Sequence, residues 1–189
     1  SSVKNNFLIA TERMNDSRFE KTVICMLEHD SEGAFGLVIN KPMGSIPLAM
    51  LIDPSLSNTP EEREKLYGIN ILIFWGGPIE VKKIFVLHSN EYQSDTTNNY
   101  GSLSVSQDND ILFDIAKNKG PEKSLVILGY SGWGDGQLEG EMVRDHWILS
   151  NIDLDITFDK ESKTKWNKAY KNKSEEHTSE LQSRTNLVC

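Results

Sequence analysis

Short apolar runs rich in β-branched and aromatic residues recur along the chain, and they predict strands. Two of them, Thr22–Leu27 and Phe35–Asn40, are separated by Asp30-Ser-Glu-Gly33, a segment typical of a tight turn. We therefore predict a β-hairpin here. Further strands are predicted at Phe7–Ala10, Ile71–Trp75, Ile84–His88, Leu103–Ser106 as a short edge strand, Leu125–Tyr130, Trp147–Leu149 and Ile152–Phe158.

Helical spacing of apolar residues and capping signals predict helices between these strands. Asp108–Lys119 carries apolar residues on one stripe and is followed by Gly120-Pro121, which ends a helix. The remaining helices are predicted at Pro47–Ile52, Thr59–Tyr67, Gln137–Asp145 and Asp159–Asn172. Strands and helices do not alternate strictly, and the hairpin requires antiparallel pairing. The sequence thus indicates an α+β fold with a mixed sheet.

Composition narrows the class of protein. The chain has 189 residues, of which 38% are hydrophobic and 25% charged, and this favours one globular domain over residues 1–173. The longest apolar runs are too short to span a bilayer, so no membrane insertion is expected. The net charge of −8 argues against direct nucleic-acid binding. Two distant cysteines and the absence of a secretory pattern favour a reducing, cytoplasmic location.

The last sixteen residues, 174–189, do not continue the pattern of the domain. Their sequence, SEEHTSELQSRTNLVC, resembles the in-frame translation of a sequencing adapter. We therefore treat this segment as a non-native tail, exclude it from the folding argument and expect it to be disordered.

Four segments carry a resemblance to a known family. They are FLIATERMNDSRFEKTVICMLEHDSEGAFGLVINKP from Phe7, FWGGPI from Phe74, FVLHS from Phe85 and LGYSGWGDGQLEGE from Leu128. Together they resemble the YqgE/AlgH family of bacterial proteins. The resemblance implies a bifurcated mixed sheet that closes into a small barrel surrounded by helices, in a cytoplasmic protein. Members have no established biochemical activity, and some are labelled putative transcriptional regulators.

Two glycine-rich segments each follow an apolar strand and are candidates for a ligand site. We expect them to be loops that lie side by side and form one cleft. The N–H groups near a helix start would hold an anion there, and aromatic side chains would form apolar walls. The candidate ligand-binding residues are Gly76, Gly77, Pro78, His88, Tyr130, Trp133, Gly134, Gly136, Gln137 and Glu139. The alternative is that the glycines serve only the backbone conformation.

Motifs for specific chemistry are missing, so no catalytic residue is assigned. A dinucleotide fingerprint would need glycine at Gln137, and a nucleophile elbow around Ser131 would need glycine at Trp133. His29, His88 and His146 lack metal-ligand spacing, and no metal or cofactor is predicted. The sequence favours a non-catalytic binding or regulatory domain for a small anionic ligand. The alternative is a hydrolase or transferase acting on an anionic metabolite at the same cleft. The oligomeric state stays open.

Overall fold

The computed structural model describes residues 2–53 and 59–173; the tail assigned from the sequence lies outside the described residues. The strands of this part are β1 (Asn6–Ala10), β2 (Val23–Asp30), β3 (Gly33–Val38), β4 (Pro42–Pro47), β5 (Asn70–Trp75), β6 (Ile79–Ser89), β7 (Asn98–Tyr100), β8 (Leu103–Ser106), β9 (Ser124–Gly134) and β10 (Trp147–Asn151). Its helices are α1 (Pro60–Tyr67), α2 (Asn109–Ala116), α3 (Gln137–Val143), α4 (Leu154–Thr157) and α5 (165–173). Single 3₁₀ turns occur at Ser17–Phe19, Leu48–Met50 and Ser162–Thr164.

The chain divides into two compact units, which we call the terminal unit (residues 1–35 and 133–189) and the central unit (residues 36–132). β3 and β9 each contribute residues to both units. Within the described part of the chain, no helix is long and apolar enough to cross a membrane.

In the terminal unit, β1 lies between β10 and β2 and pairs antiparallel with both. The predicted hairpin is confirmed: β2 and β3 are neighbours, and the Asp30 carboxylate accepts a hydrogen bond of 2.8 Å from the N–H of Glu32 in the turn. Gly33 then enters β3 with φ of +153°, and a Cβ there would lie 2.2 Å from the carbonyl oxygen of Trp133. Only glycine fits this approach of two backbones.

The core of the terminal unit is formed by β1 and β2, because both faces of these strands are covered. Phe7–Ala10 and Val23–Leu27 are almost completely buried. Helix α5 is held against them, since the indole Nε1 of Trp166 donates a 2.8 Å hydrogen bond to the carbonyl oxygen of Ala10. The core of this unit also encloses one lysine: Lys165 has no exposed surface.

In the central unit, β9 is the middle strand. It pairs in parallel with β5 on one side and antiparallel with β6, which continues to β8 and then to β7. Because β9 pairs with β3, β5 and β6, the sheet branches at this strand. The predicted α+β class with a bifurcated mixed sheet is confirmed. The core against α2 contains Leu48, Ile71, Ile73, Val86, Ile111, Leu112 and Val126.

Four predictions of local structure are wrong. Pro47–Ile52 is not a helix, because Pro47 ends β4 and only a single 3₁₀ turn, Leu48–Met50, follows. β8 is not an edge strand, because β7, which the sequence reading missed, pairs with its outer side. Ile152–Phe158 is not a strand: Asp153 caps α4 by accepting hydrogen bonds from the N–H groups of Asp155 and Ile156. The segment Gly129–Gly136 is mostly strand rather than loop, since β9 continues through Gly134.

Candidate functional site

The glycines of the central unit are packed against backbone. A Cβ on Gly76 would lie 2.3 Å from the carbonyl oxygen of Gly129, and one on Gly77 would lie 2.1 Å from that of Tyr130. The hydroxyl of Ser131 donates a 3.0 Å hydrogen bond to the carbonyl oxygen of Gly76. The two glycine-rich segments therefore meet here, with half-buried Pro78 beside them. The space that these glycines leave is filled by the neighbouring chain, which favours a conformational role.

The other glycine-segment residues belong to the terminal unit. Trp133 is buried, with its ring centroid 6.3 Å from that of Trp147, whereas Gly134, Gly136 and Gln137 are exposed. Gly136 precedes α3 with φ of +72°, in the left-handed region. The side-chain oxygen of Gln137 already accepts a 3.1 Å hydrogen bond from the N–H of Gly134. This hydrogen bond joins the first residue of α3 to the end of β9, whereas the N–H groups expected to hold an anion are those near Gly136 and Gln137.

Glu139 is paired with a histidine. Nδ1 of His29 accepts a 2.9 Å hydrogen bond from the N–H of Val3, so the ring proton lies on Nε2. Nε2 then donates across 2.7 Å to the Glu139 carboxylate. This hydrogen bond lowers the pKa of Glu139. The pair connects α3 with β2 and with the chain that precedes β1.

His88 is enclosed at the far end of β6. It lies opposite Ser124 on β9, whereas Ile79 lies opposite Tyr130; six residues along a strand span about 20 Å. His88 is therefore distant from Gly77. Nδ1 donates to the carbonyl oxygen of Ser89 at 2.8 Å, so Nε2 accepts the hydroxyl proton of Ser106, also at 2.8 Å. Burial lowers the pKa of His88 in spite of the hydrogen bond to Ser89.

Hydroxyl groups continue from His88 towards the surface. The Ser106 oxygen lies 2.7 Å from that of Thr97, which lies 3.1 Å from that of Ser94. The Ser94 hydroxyl donates to the Asp108 carboxylate at 2.5 Å. Burial alone would raise the pKa of Asp108, but hydrogen bonds from Ser94, Thr96 and the N–H of Ile111 outweigh it and lower the pKa. This row of hydrogen bonds holds residues 94–97 against β8 and the start of α2.

Beside that row lies a cleft of about 700 Å³, which we call the α1–α2 cleft. One wall is formed by one face of α2 together with its C-cap residue, because residues spaced by three and four share a helix face; these lining residues are Asp110, Phe113, Asp114, Ala116 and Lys117. The opposite face of α2 holds Ile111 and Leu112 in the core. The rest of the lining comes from α1 and its exit, Lys65, Leu66 and Ile69, and from residues 92–95.

Charged residues line this cleft together with apolar side chains. The apolar residues, which we call the apolar floor, are Leu66, Ile69, Phe113 and Ala116. Tyr92 donates its hydroxyl proton to the Asp114 carboxylate at 2.6 Å, and burial together with this hydrogen bond raises the pKa of the phenol. Within the described part of the chain, no hydrogen bond or ion pair engages the side chains of the other charged lining residues, Lys65, Asp95, Asp110 and Lys117. These four groups are free to bind a solute.

Comparison with known proteins decides the family. A sequence profile of AlgH-like proteins matches residues 7–178. The chain belongs to the AlgH-like family. A UPF0301 protein of Stutzerimonas stutzeri is 40% identical to this AlgH-like chain over 159 residues, covering 84% of the chain and 82% of the relative. A UPF0301 protein of Shewanella sp. ANA-3 is 36% identical over 169 residues, covering 89% of each.

Two solved structures are similar to this AlgH-like chain in fold. The solution structure of the AlgH protein from Pseudomonas aeruginosa matches with a TM-score of 0.67 and 38% identity, covering 84% of each chain. This match confirms the fold class that the sequence predicted. A crystal structure of a Corynebacterium diphtheriae protein matches with a TM-score of 0.65, covering 88% of this chain and 84% of the other. At 14% identity, it supports the fold alone.

The α1–α2 cleft was not foreseen from the sequence of this AlgH-like chain. Of the predicted site residues, none lines it; His88 reaches its edge through Tyr92, whose ring lies 5.7 Å away, centroid to centroid. One signal was available, because Asp110, Asp114 and Lys117 share the polar face of a helix that had been predicted. Which other segments face that stripe could not be read from the pattern. No group of three or more His, Cys, Asp or Glu suited to a metal occurs among the described residues.

Proposed function

We propose that this AlgH-like domain is a non-catalytic, small-ligand-binding or regulatory domain, and that the ligand occupies the α1–α2 cleft. One observation carries the proposal: a cleft of about 700 Å³ combines an apolar floor with charged side chains that make no hydrogen bond or ion pair with any described residue. Volumes of roughly 300–1,000 Å³ with few polar groups over an apolar lining are typical of small-molecule sites.

The lysines of the cleft support a ligand with at least one negative group. Lys65 of α1 and Lys117, the C-cap residue of α2, are both exposed and both line the cleft, so an anionic group bound there would be attracted by these lysines. The negative group of the ligand, expected from the sequence at the glycine-rich segments, is thus moved in this proposal to the cleft. Exposed ion pairs contribute little individually, so the apolar floor supplies the larger part of the affinity.

The alternative, a hydrolase or transferase acting on an anionic metabolite, has weaker support. The nearest arrangement to a nucleophile and base is Ser106 with His88, whose oxygen and nitrogen lie 2.8 Å apart. Both residues have no exposed surface, so a substrate cannot reach the hydroxyl without opening of the sheet. The nucleophile must contact the reacting atom, and this pair does not meet that requirement.

The proposal is tested by titrating the isotope-labelled full chain with succinate and with inorganic phosphate, followed by amide NMR spectra. Binding in the cleft should shift the signals of residues 113–117 and 92–95. Lys65→Met and Lys117→Met should each weaken binding about two- to fivefold. Lys119→Met is the matched control, because Lys119 is exposed on the same segment but does not line the cleft. If succinate, phosphate and a short zwitterionic peptide all fail to shift these signals, or if all three variants behave alike, the proposal is wrong.

A further inference from the structure

Opposite charges lie at the two ends of α2 in the wall of the α1–α2 cleft, because Asp110 is in the first turn of the helix and Lys117 is its C-cap residue. Asp110 and Lys117 lie on the same stripe and are seven residues apart, which corresponds to about 10 Å along the helix axis. Phe113 lies between them on that stripe, and Ile69 lines the cleft from the exit of α1. The wall therefore presents a carboxylate, an apolar surface and an ammonium group in that order.

This order favours a ligand that carries both charges. A ligand with negative groups alone would meet the carboxylates of Asp95 and Asp110 as well as the two lysines, and like charges repel. An ammonium group at one end and a carboxylate at the other would neutralise both ends of the wall. An extended chain of three residues spans about 10 Å, which matches the separation along α2. A free amino acid is too short to reach both ends.

We propose, building on the ligand-binding function argued above, that the α1–α2 cleft binds short peptides with free termini. The terminal ammonium group lies at Asp110, the terminal carboxylate lies at Lys117, and an apolar central side chain packs on Phe113. Asp114 does not take part directly, because its carboxylate holds the Tyr92 hydroxyl and so fixes the wall.

The experiment compares Ala-Leu-Ala with its N-acetylated form, its C-terminal amide and free leucine, each titrated into the full chain and followed by NMR. Ala-Leu-Ala should bind most tightly. Acetylation and amidation should each weaken binding about three- to fivefold, since each removes one exposed ion pair. Leucine should bind more weakly than either modified peptide.

Charge variants show whether the termini lie where we place them. In Asp110→Asn, acetylation of the peptide should no longer change the affinity, whereas amidation should still weaken binding. In Lys117→Met the pattern should reverse. This is a double-mutant cycle in which the second change is made on the ligand. Lys119→Met should bind like the unchanged chain. All these positions are exposed, and circular dichroism checks that the fold is kept.

The outcomes separate this inference from the proposed function. If succinate binds in a manner that depends on Lys65 and Lys117 but the peptide and its acetylated form bind equally well, the peptide proposal is overturned and the ligand-binding function stands. If acetylation weakens binding as much in Asp110→Asn as in the unchanged chain, the assignment of the ammonium group is overturned. If no probe binds, both proposals fail.

Discussion

Lys165 is a buried ammonium group, and replacing it with methionine should stabilise the protein. The difference in the free energy of unfolding then measures the cost of burying this charge. The residue is the first of α5, has no exposed surface, and interacts electrostatically with the Cys25 thiol and the Asp159 carboxylate. Burial lowers the pKa of Lys165 from its ordinary 10.5 to about 8. Methionine has a similar length and no charge, so Lys165→Met removes the cost of enclosing an ammonium group while keeping the packing.

The magnitude follows from the pKa difference between the folded and unfolded chain. A displacement from 10.5 to about 8 corresponds to about 3.4 kcal/mol, at about 1.36 kcal/mol for each pH unit. At pH 7 the amine is charged in both states, so the whole cost is present and Lys165→Met should be more stable by about 2 to 3 kcal/mol. Between the two pKa values the unfolded chain holds the proton that the folded chain has lost.

The stability of the unchanged protein relative to the variant therefore rises with pH. The advantage of Lys165→Met should shrink by about 1.4 kcal/mol between pH 7 and 9, and by about 2.5 kcal/mol between pH 7 and 10. Burial raises the pKa of the Cys25 thiol to about 12, which favours the unfolded state at high pH. Both proteins contain Cys25, so taking their difference largely cancels this effect.

Urea unfolding followed by tryptophan fluorescence measures these free energies, with Lys163→Met as the control. Lys163 lies two residues earlier and is exposed, so its replacement should give a difference in stability that does not change with pH. A difference between Lys165→Met and the unchanged chain that stays constant from pH 7 to 10 would refute the reasoning. So would a loss of stability in the variant at pH 7.

Three further predictions concern the glycines, His88 and the tail. Gly77→Ala should lower the free energy of unfolding by more than about 2 kcal/mol, because its Cβ would lie 2.1 Å from the Tyr130 carbonyl. Gly134→Ala should change this free energy by less than about 0.5 kcal/mol, because its Cβ would have no atom within 4 Å. Urea unfolding measures both differences. Burial lowers the pKa of His88 from 6.5, so as the pH falls the unfolded chain takes up the proton first and the free energy of unfolding should decrease below pH 6.5. Urea unfolding at two pH values should show a smaller decrease in His88→Gln. Removal of residues 174–189 should change the melting temperature, measured by calorimetry, by less than about 2 °C, because so polar a segment has little apolar area to bury.

The local pattern of the sequence was sufficient for much of the fold. The hairpin of β2 and β3, the buried strands and α2 were predicted because periodicity and turn residues report burial and chain reversal directly. The two apolar strands that precede the glycine-rich segments, β5 and β9, pair with each other, in keeping with the expectation that these segments lie side by side. The family resemblance was carried by motifs that the sequence displays without any structure.

Tertiary structure decided the features that depend on distant neighbours. β8 is internal because β7 pairs with it. β9 extends through most of the glycine-rich segment, and the backbone of Gly76 and Gly77 packs against it there. The α1–α2 cleft joins residues from 65 to 117 that no spacing rule connects. Lys165 lies in the predicted helix Asp159–Asn172, where nothing in the sequence pattern marked it as buried, yet it is enclosed. Hydrophobic periodicity specifies which face of an element is buried, while the identity of the facing residues depends on how the elements pack, and that determined both the cleft and the buried charge.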